Sequence, residues 1–85
     1  MSDTKAAFEQ AQKDVKTLTS RPSNDDMLAL YANFKQATAG DCSGKRPGMM
    51  DMVGRAKYDA WAKLAGTSSE DAMQAYVNKV NALLG

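Results

Sequence analysis

The apolar residues Phe8, Ala11, Val15 and Leu18 recur at steps of three, four and three. That spacing lays one stripe along an amphipathic helix beginning near Thr4, which Pro22 ends. Ser23 followed three residues later by Asp26 has the form of a capping box with an acid in the first turn, predicting a second helix from about Asn24 to Thr38. Gly40 and Gly44 terminate it, and residues 39–50, which include Pro47 and Gly48, read as a long loop. Asp51 is a good N-cap for a third helix, roughly Met52 to Ala65, stopped by Gly66. Thr67 and Glu70 repeat the capping-box pattern and open a fourth helix, whose apolar face is Met73, Tyr76, Val77, Val80 and Leu84. Two short connections and one long one predict a four-helix bundle in which Phe8, Val15 and Leu18 pack on Tyr76, Val77, Val80 and Leu83.

Composition agrees with the pattern. The 85 residues include 14 alanines, 6 methionines and 6 leucines, but only 4 valines, 5 threonines and no isoleucine. Sheets draw on β-branched residues, whereas Ala, Leu and Met lose least on entering a helix, so the fold class is all-α. The length suits one domain, 1–85, with a modest core. Eleven basic residues against ten acidic ones remove the global attraction expected of a nucleic-acid binder. The longest unbroken apolar run, Met27 to Ala32, is six residues, far below the ~20 that span a bilayer. The first ten residues mix acids and bases without a hydrophobic stretch, so no signal peptide is expected and the protein reads as cytoplasmic. One cysteine forms no internal disulfide, and without histidine a metal site is not expected.

Several chemistries are excluded on residues. The run Gly40-Asp-Cys-Ser-Gly-Lys-Arg46 resembles a phosphate-binding loop, but three residues instead of four separate its glycines and Arg46 stands where Ser or Thr is required. Cys42 has no histidine to activate it, and the acids fall on caps and surface positions, so no enzyme is expected. None of Ser2, Ser20, Ser23, Ser43, Ser68 and Ser69 has the Asp-Ser-Leu setting of an acyl carrier protein, and the net charge of +1 is wrong for that acidic class.

What remains is a set of polar residues at core margins. Projected at about 100° per residue, helix 2 places Met27, Leu30, Phe34 and Ala37 on a buried arc, flanked by Leu28, Tyr31 and Lys35. On helix 3, the arc of Val53, Ala60 and Leu64 has Lys57 near its middle, where a sheltered ammonium needs water or an anion. Tyr76 lies at the edge of the apolar face of helix 4. From Lys35 to Lys57 there are five bases (Lys35, Lys45, Arg46, Arg55, Lys57) against two acids, Asp41 and Asp51. Two readings stand: a pocket for an anionic, partly aromatic ligand with an apolar portion, or a helical protein-interaction module.

The segments Tyr31-Ala-Asn-Phe-Lys-Gln-Ala-Thr-Ala-Gly-Asp41, Arg46-Pro-Gly-Met, Gly54-Arg-Ala-Lys-Tyr-Asp-Ala-Trp61 and Gly66-Thr-Ser-Ser-Glu-Asp-Ala-Met73 closely resemble the acyl-CoA-binding protein family. The resemblance covers essentially the whole chain and implies a four-helix bundle in up-down-down-up arrangement. It implies non-covalent binding of long-chain fatty acyl-CoA by an intracellular, monomeric carrier, in transient contact with acyl-CoA-using enzymes or membrane surfaces. Carried over by position, the ligand contacts fall on Lys16, Tyr31, Lys35, Lys57 and Tyr76, with an aliphatic groove near Met27 and Leu28. The resemblance assigns adenine stacking to Tyr31, the ribose 3′-phosphate to Lys35, Lys57 and Tyr76, and a nearby phosphate to Lys16; no cofactor or metal is implied. Two departures are visible: Tyr58 replaces a frequent tryptophan, and a lysine-rich tail is missing after Leu84.

Overall fold

The computed structural model describes residues 2–85, which form the α-helices α1 (Ser2–Asp14), α2 (Asn24–Ala39), α3 (Met52–Ala62) and α4 (Ser69–Leu84). No strand occurs among these residues. Sequence chemistry accounts for most of the ends. The Ser23 hydroxyl accepts from the Asp26 N–H at 3.1 Å, and Gly40, at φ +82°, closes α2 with its N–H on the Gln36 carbonyl. Asp51 caps α3 by accepting from the Gly54 N–H at 2.9 Å. Its carboxylate lies so close over Gly54 that a Cβ there would collide with it.

Three boundaries differ from expectation. Helix α1 tightens after Asp14 into a 3-10 turn, Val15–Thr17, well short of Pro22. There the Thr17 hydroxyl donates to the Asp14 carbonyl at 2.6 Å, competing for a group the α-helix would use. Helix α3 ends at Ala62 because the following N–H groups turn back over three residues, Leu64 to Trp61 and Ala65 to Ala62, before Gly66 at φ +89°. That turn consumes Thr67, so α4 is capped by Ser68, which accepts from the Asp71 N–H at 3.1 Å.

Side-chain pairs fix the helix directions. Asp26 meets Lys79 at 3.0 Å and Gln36 donates to the Thr67 carbonyl at 2.8 Å, so α2 and α4 run antiparallel. Lys57 sits over Tyr31 and Lys35 over Trp61, so α2 and α3 run parallel. Phe8 packs on Tyr76, while Leu18 shares a crevice with Leu83 and Leu84, so α1 and α4 are also parallel. The result is an up-down-down-up bundle. Parallel neighbours need a connection that returns along a helix, which is why the link between α2 and α3 is long. In cross-section α4 lies between α1 and α2, and α3 packs chiefly on α2.

The core joins Phe8, Ala11, Leu30, Ala37, Ala72, Tyr76, Val77 and Val80, with Val15, Phe34, Met73 and Leu83 against it. Phe8 and Tyr76 meet edge to face at 5.1 Å between centroids, a favourable quadrupole arrangement. Val80 is completely buried, so Val80→Ala should cost about 1–2 kcal/mol in chemical denaturation, through lost transfer energy and an unfilled cavity.

Two residues placed on buried arcs are exposed, Met27 at 39% and Val53 at 66%, and Phe34, Ala60 and Leu64 are only half-buried. Lys57 is likewise exposed rather than sheltered. A projection around each axis identifies an apolar arc, but α3 has one main partner and contributes no buried residue. Part of its arc therefore faces open space. Tyr76 departs in the opposite direction, lying in the core instead of at its edge.

The long loop is tied down at its start. Asp41 Oδ1 accepts from Gln36 Nε2 at 2.8 Å and from the Gly66 N–H at 2.9 Å. Trp61 donates to the Gly40 carbonyl at 2.8 Å, and Arg46 forms a two-pronged pair with Asp59. The Gly66 N–H, and then Gln36, hold the Asp41 carboxyl below the usual carboxylate range. Stability linked to a depressed carboxyl is present above its unfolded pKa and lost as pH falls through the lower folded value. Asp41→Asn should thus lower the thermal midpoint at neutral pH by more than at pH 3, with the gap narrowing as wild-type Asp41 protonates. An equal penalty at both pH values would show that the carboxylate charge is not what matters.

Candidate functional site

Where the N-terminal halves of α2 and α3 run side by side, an open groove of about 530 Å³ is lined by Arg21, Asn24, Met27, Leu28, Tyr31, Met52, Val53, Ala56 and Lys57. Its volume falls within the range typical of small-molecule sites, about 300–1,000 Å³. Helical periodicity builds both walls. Asn24, Met27, Leu28 and Tyr31 repeat at steps of three, one and three along α2, while Val53, Ala56 and Lys57 follow at steps of three and one along α3. The small Ala56 leaves room between helices that larger side chains would fill.

The groove is chemically graded. Met27, Leu28, Met52, Val53 and Ala56 give it thioether and aliphatic walls. Tyr31 and Lys57 form an aromatic and cationic end, with the Lys57 ammonium 5.3 Å from the Tyr31 ring centroid. Arg21 stands at the other end, its Nε donating to the Met27 sulfur at 3.4 Å. Two cations and no carboxylate line the cavity. An elongated apolar molecule carrying an aromatic ring and negative charge matches this lining better than a neutral or cationic one.

Four of the seven residues expected in the site line this groove: Met27, Leu28, Tyr31 and Lys57. Lys35 lies one turn beyond Tyr31 on the same face of α2, outside the lining, with its ammonium 5.0 Å from the centroid of Trp61. Lys16 is exposed in the 3-10 turn after α1 and does not line the groove. Tyr76 holds its ring between Phe8 and Phe34, and burial pushes its phenol pKa up, keeping it protonated as a donor. Tyr58, on another side of α3, donates to the Gly44 carbonyl at 3.0 Å and helps hold the loop.

Arg21, Asn24, Met52, Val53 and Ala56 complete the lining and were not singled out as ligand contacts by the sequence. Met52 and Val53 precede Ala56 and Lys57 by one turn, so that spacing was an available signal. Arg21 lies outside any helix, and helical periodicity says nothing about where its side chain goes.

Residues 5–80 match the sequence model of the family described as Acyl CoA binding protein. An acyl-CoA-binding protein homolog from Manduca sexta is 54% identical over 78 residues, covering 91% of this chain and 87% of the relative. The acyl-CoA-binding protein of Brassica napus is 49% identical over 80 residues, covering 94% and 87%. Among solved structures, Acyl-CoA-Binding Protein 2 from Oryza sativa superposes with a TM-score of 0.92 at 41% identity, covering 96% of this chain and 89% of that one. The protein from Moniliophthora perniciosa gives 0.87 at 45% identity, covering 94% and 79%.

Proposed function

The chain belongs to the acyl-CoA-binding protein family, and from that premise we propose that it binds long-chain fatty acyl-CoA esters non-covalently as a cytoplasmic, monomeric carrier and pool former. The observation that carries this reading is the graded groove, apolar along Met27, Leu28, Met52, Val53 and Ala56 and cationic-aromatic at Tyr31 and Lys57. Such a ligand joins an alkyl tail to a polyanionic nucleotide. The family is one of binding proteins rather than enzymes, and the ligand is held and handed on unchanged, to acyl-CoA-using enzymes or membrane surfaces. Family membership favours this over a protein-interaction module without acyl-CoA binding.

In this mode adenine stacks on Tyr31, a contact worth ~1–3 kcal/mol per base. Lys35 and Lys57 meet the 3′-phosphate from two helices, and Tyr76 contributes through its hydroxyl because Phe8 and Phe34 occupy its ring. Lys16 meets a nearby phosphate. The free protein already has the Lys57 ammonium on the Tyr31 face, so a stacking base displaces it toward the phosphate. Titration calorimetry with palmitoyl-CoA, CoA and palmitate tests the reading. Palmitoyl-CoA should bind far more tightly than either fragment, because only it fills the groove and meets the cations together. Equal affinity for palmitate and palmitoyl-CoA would overturn it.

A further inference from the structure

Methionine is concentrated at this groove beyond what core packing requires. Of the five methionines from Met27 to Met73, only Met73 packs against the core. Met27 on α2 and Met52 on α3 both line the groove, at 39% and 78% exposure, whereas Met49 and Met50 do not line it, Met50 being almost fully exposed. An accessible thioether is open to two-electron oxidation, and the sulfoxide is polar where the thioether is apolar. The second observation is Arg21. Its Nε already donates to the Met27 sulfur at 3.4 Å, and a sulfoxide oxygen is a far stronger acceptor than a thioether.

We propose that Met27 and Met52 form a reversible oxidation site that lowers acyl-CoA affinity, with Arg21 holding the Met27 sulfoxide in the groove. The oxidant is a hydroperoxide. The sulfur lone pair attacks the distal peroxide oxygen, an S–O bond forms as O–O breaks, sulfur loses two electrons, and water (or an alcohol) leaves. Reversal takes two thiols to a disulfide, returns two electrons to sulfur and releases the oxygen as water, the chemistry of methionine sulfoxide reductases. The altered wall is the one that meets the alkyl tail, so the inference rests on the acyl-CoA reading and names a regulation of that same groove.

Hydrogen peroxide treatment of the whole protein, followed by peptide mass spectrometry and palmitoyl-CoA calorimetry, tests it. Sulfoxide should form at Met27 and Met52 and not at Met73, and saturating palmitoyl-CoA should protect Met27 and Met52 but not Met50. Oxidised protein should bind palmitoyl-CoA about tenfold more weakly, and reductase with dithiothreitol should restore the affinity. The ratio of treated to untreated affinity should collapse toward one in Met27→Leu/Met52→Leu, whatever that variant's starting affinity, and persist in Met49→Leu/Met50→Leu. Arg21→Gln should leave Met27 sulfoxide formation intact but reduce its effect on binding. Full oxidation of Met27 and Met52 with unchanged affinity overturns the switch. Failure of untreated protein to bind palmitoyl-CoA overturns the function itself, and the two failures are read from different samples.

Discussion

Titrated with a homologous series from butyryl-CoA to stearoyl-CoA, the protein should gain affinity steadily with each added methylene and then level off. From Asn24 to Tyr31 the α2 wall advances by seven residue steps, about 10 Å at 1.5 Å per residue. An extended alkyl chain advances roughly 1.25 Å per carbon, given single bonds near 1.5 Å, so the wall offers contact to about eight methylenes. Each buried methylene contributes about 0.8 kcal/mol, giving a gross difference of about 6 kcal/mol between empty and filled groove. Ordering the tail takes back part of this. A groove open to solvent also buries each methylene incompletely, so the measured slope should fall below the transfer value. The heat-capacity change should grow more negative in step with affinity, since both follow apolar area removed from water. An affinity independent of tail length would mean that the tail does not lie along Met27, Leu28, Met52 and Val53.

The fold was legible because local signals agreed with one another. Ser23 and Asp51 act as the caps their sequence context announced, and the stripe of Phe8, Ala11 and Val15 meets the α4 face containing Tyr76, Val77 and Val80. The errors at helix ends share one cause. Thr17 and the turn before Gly66 each divert backbone groups into tighter turns, and the second takes up Thr67 and leaves the α4 cap to Ser68, a choice that near-equal hydrogen-bond energies leave to tertiary context. The sequence shows residues 39–50 as a long loop but not what fastens it. In the structure Asp41, Trp61 and Arg46 fasten it, through contacts between residues 13 to 25 positions apart that no local pattern contains.

The groove was legible on α2 and obscure on α3. Helix α2 packs on α4 and α3, so apart from Met27 its arcs divide into core residues such as Leu30 and Ala37 and a flank carrying Leu28, Tyr31 and Lys35. Helix α3 leans mainly on α2, and its apolar Met52 and Val53 are left at the groove. Periodicity alone would bury Val53. Adjacent apolar residues left exposed on a helix with few neighbours form a patch of the kind that marks a binding groove, and it becomes visible only once the packing partners are known.

Replacing Lys35 by alanine should cost on the order of 1.5–3 kcal/mol in palmitoyl-CoA affinity, the range for a hydrogen bond to a charged group. Lys57→Ala should cost less, on the order of 1 kcal/mol, because an exposed ion pair is largely screened by water. The two differ in surroundings. Lys35 is half-buried against Trp61, whose indole is fixed by its bond to the Gly40 carbonyl, so its ammonium is already confined near its working position. Lys57 is exposed and must first leave the Tyr31 ring, giving up a cation–π contact of about 0.5–1 kcal/mol. A phosphate monoester carries about −1.5 to −2 charge at pH 7, so dephospho-CoA esters should bind wild type more weakly by at least the Lys35→Ala loss, since Lys57 and Tyr76 lose the same partner. The decisive measurement crosses the two changes. If Lys35 meets the 3′-phosphate, the two changes share one contact, and Lys35→Ala should discriminate the phosphorylated from the dephospho ester by clearly less than wild type does, keeping only the share that Lys57 and Tyr76 supply. Should the two losses add in full, Lys35 does not hold that phosphate, and the adenosine end must lie elsewhere on the bundle even if the protein binds acyl-CoA.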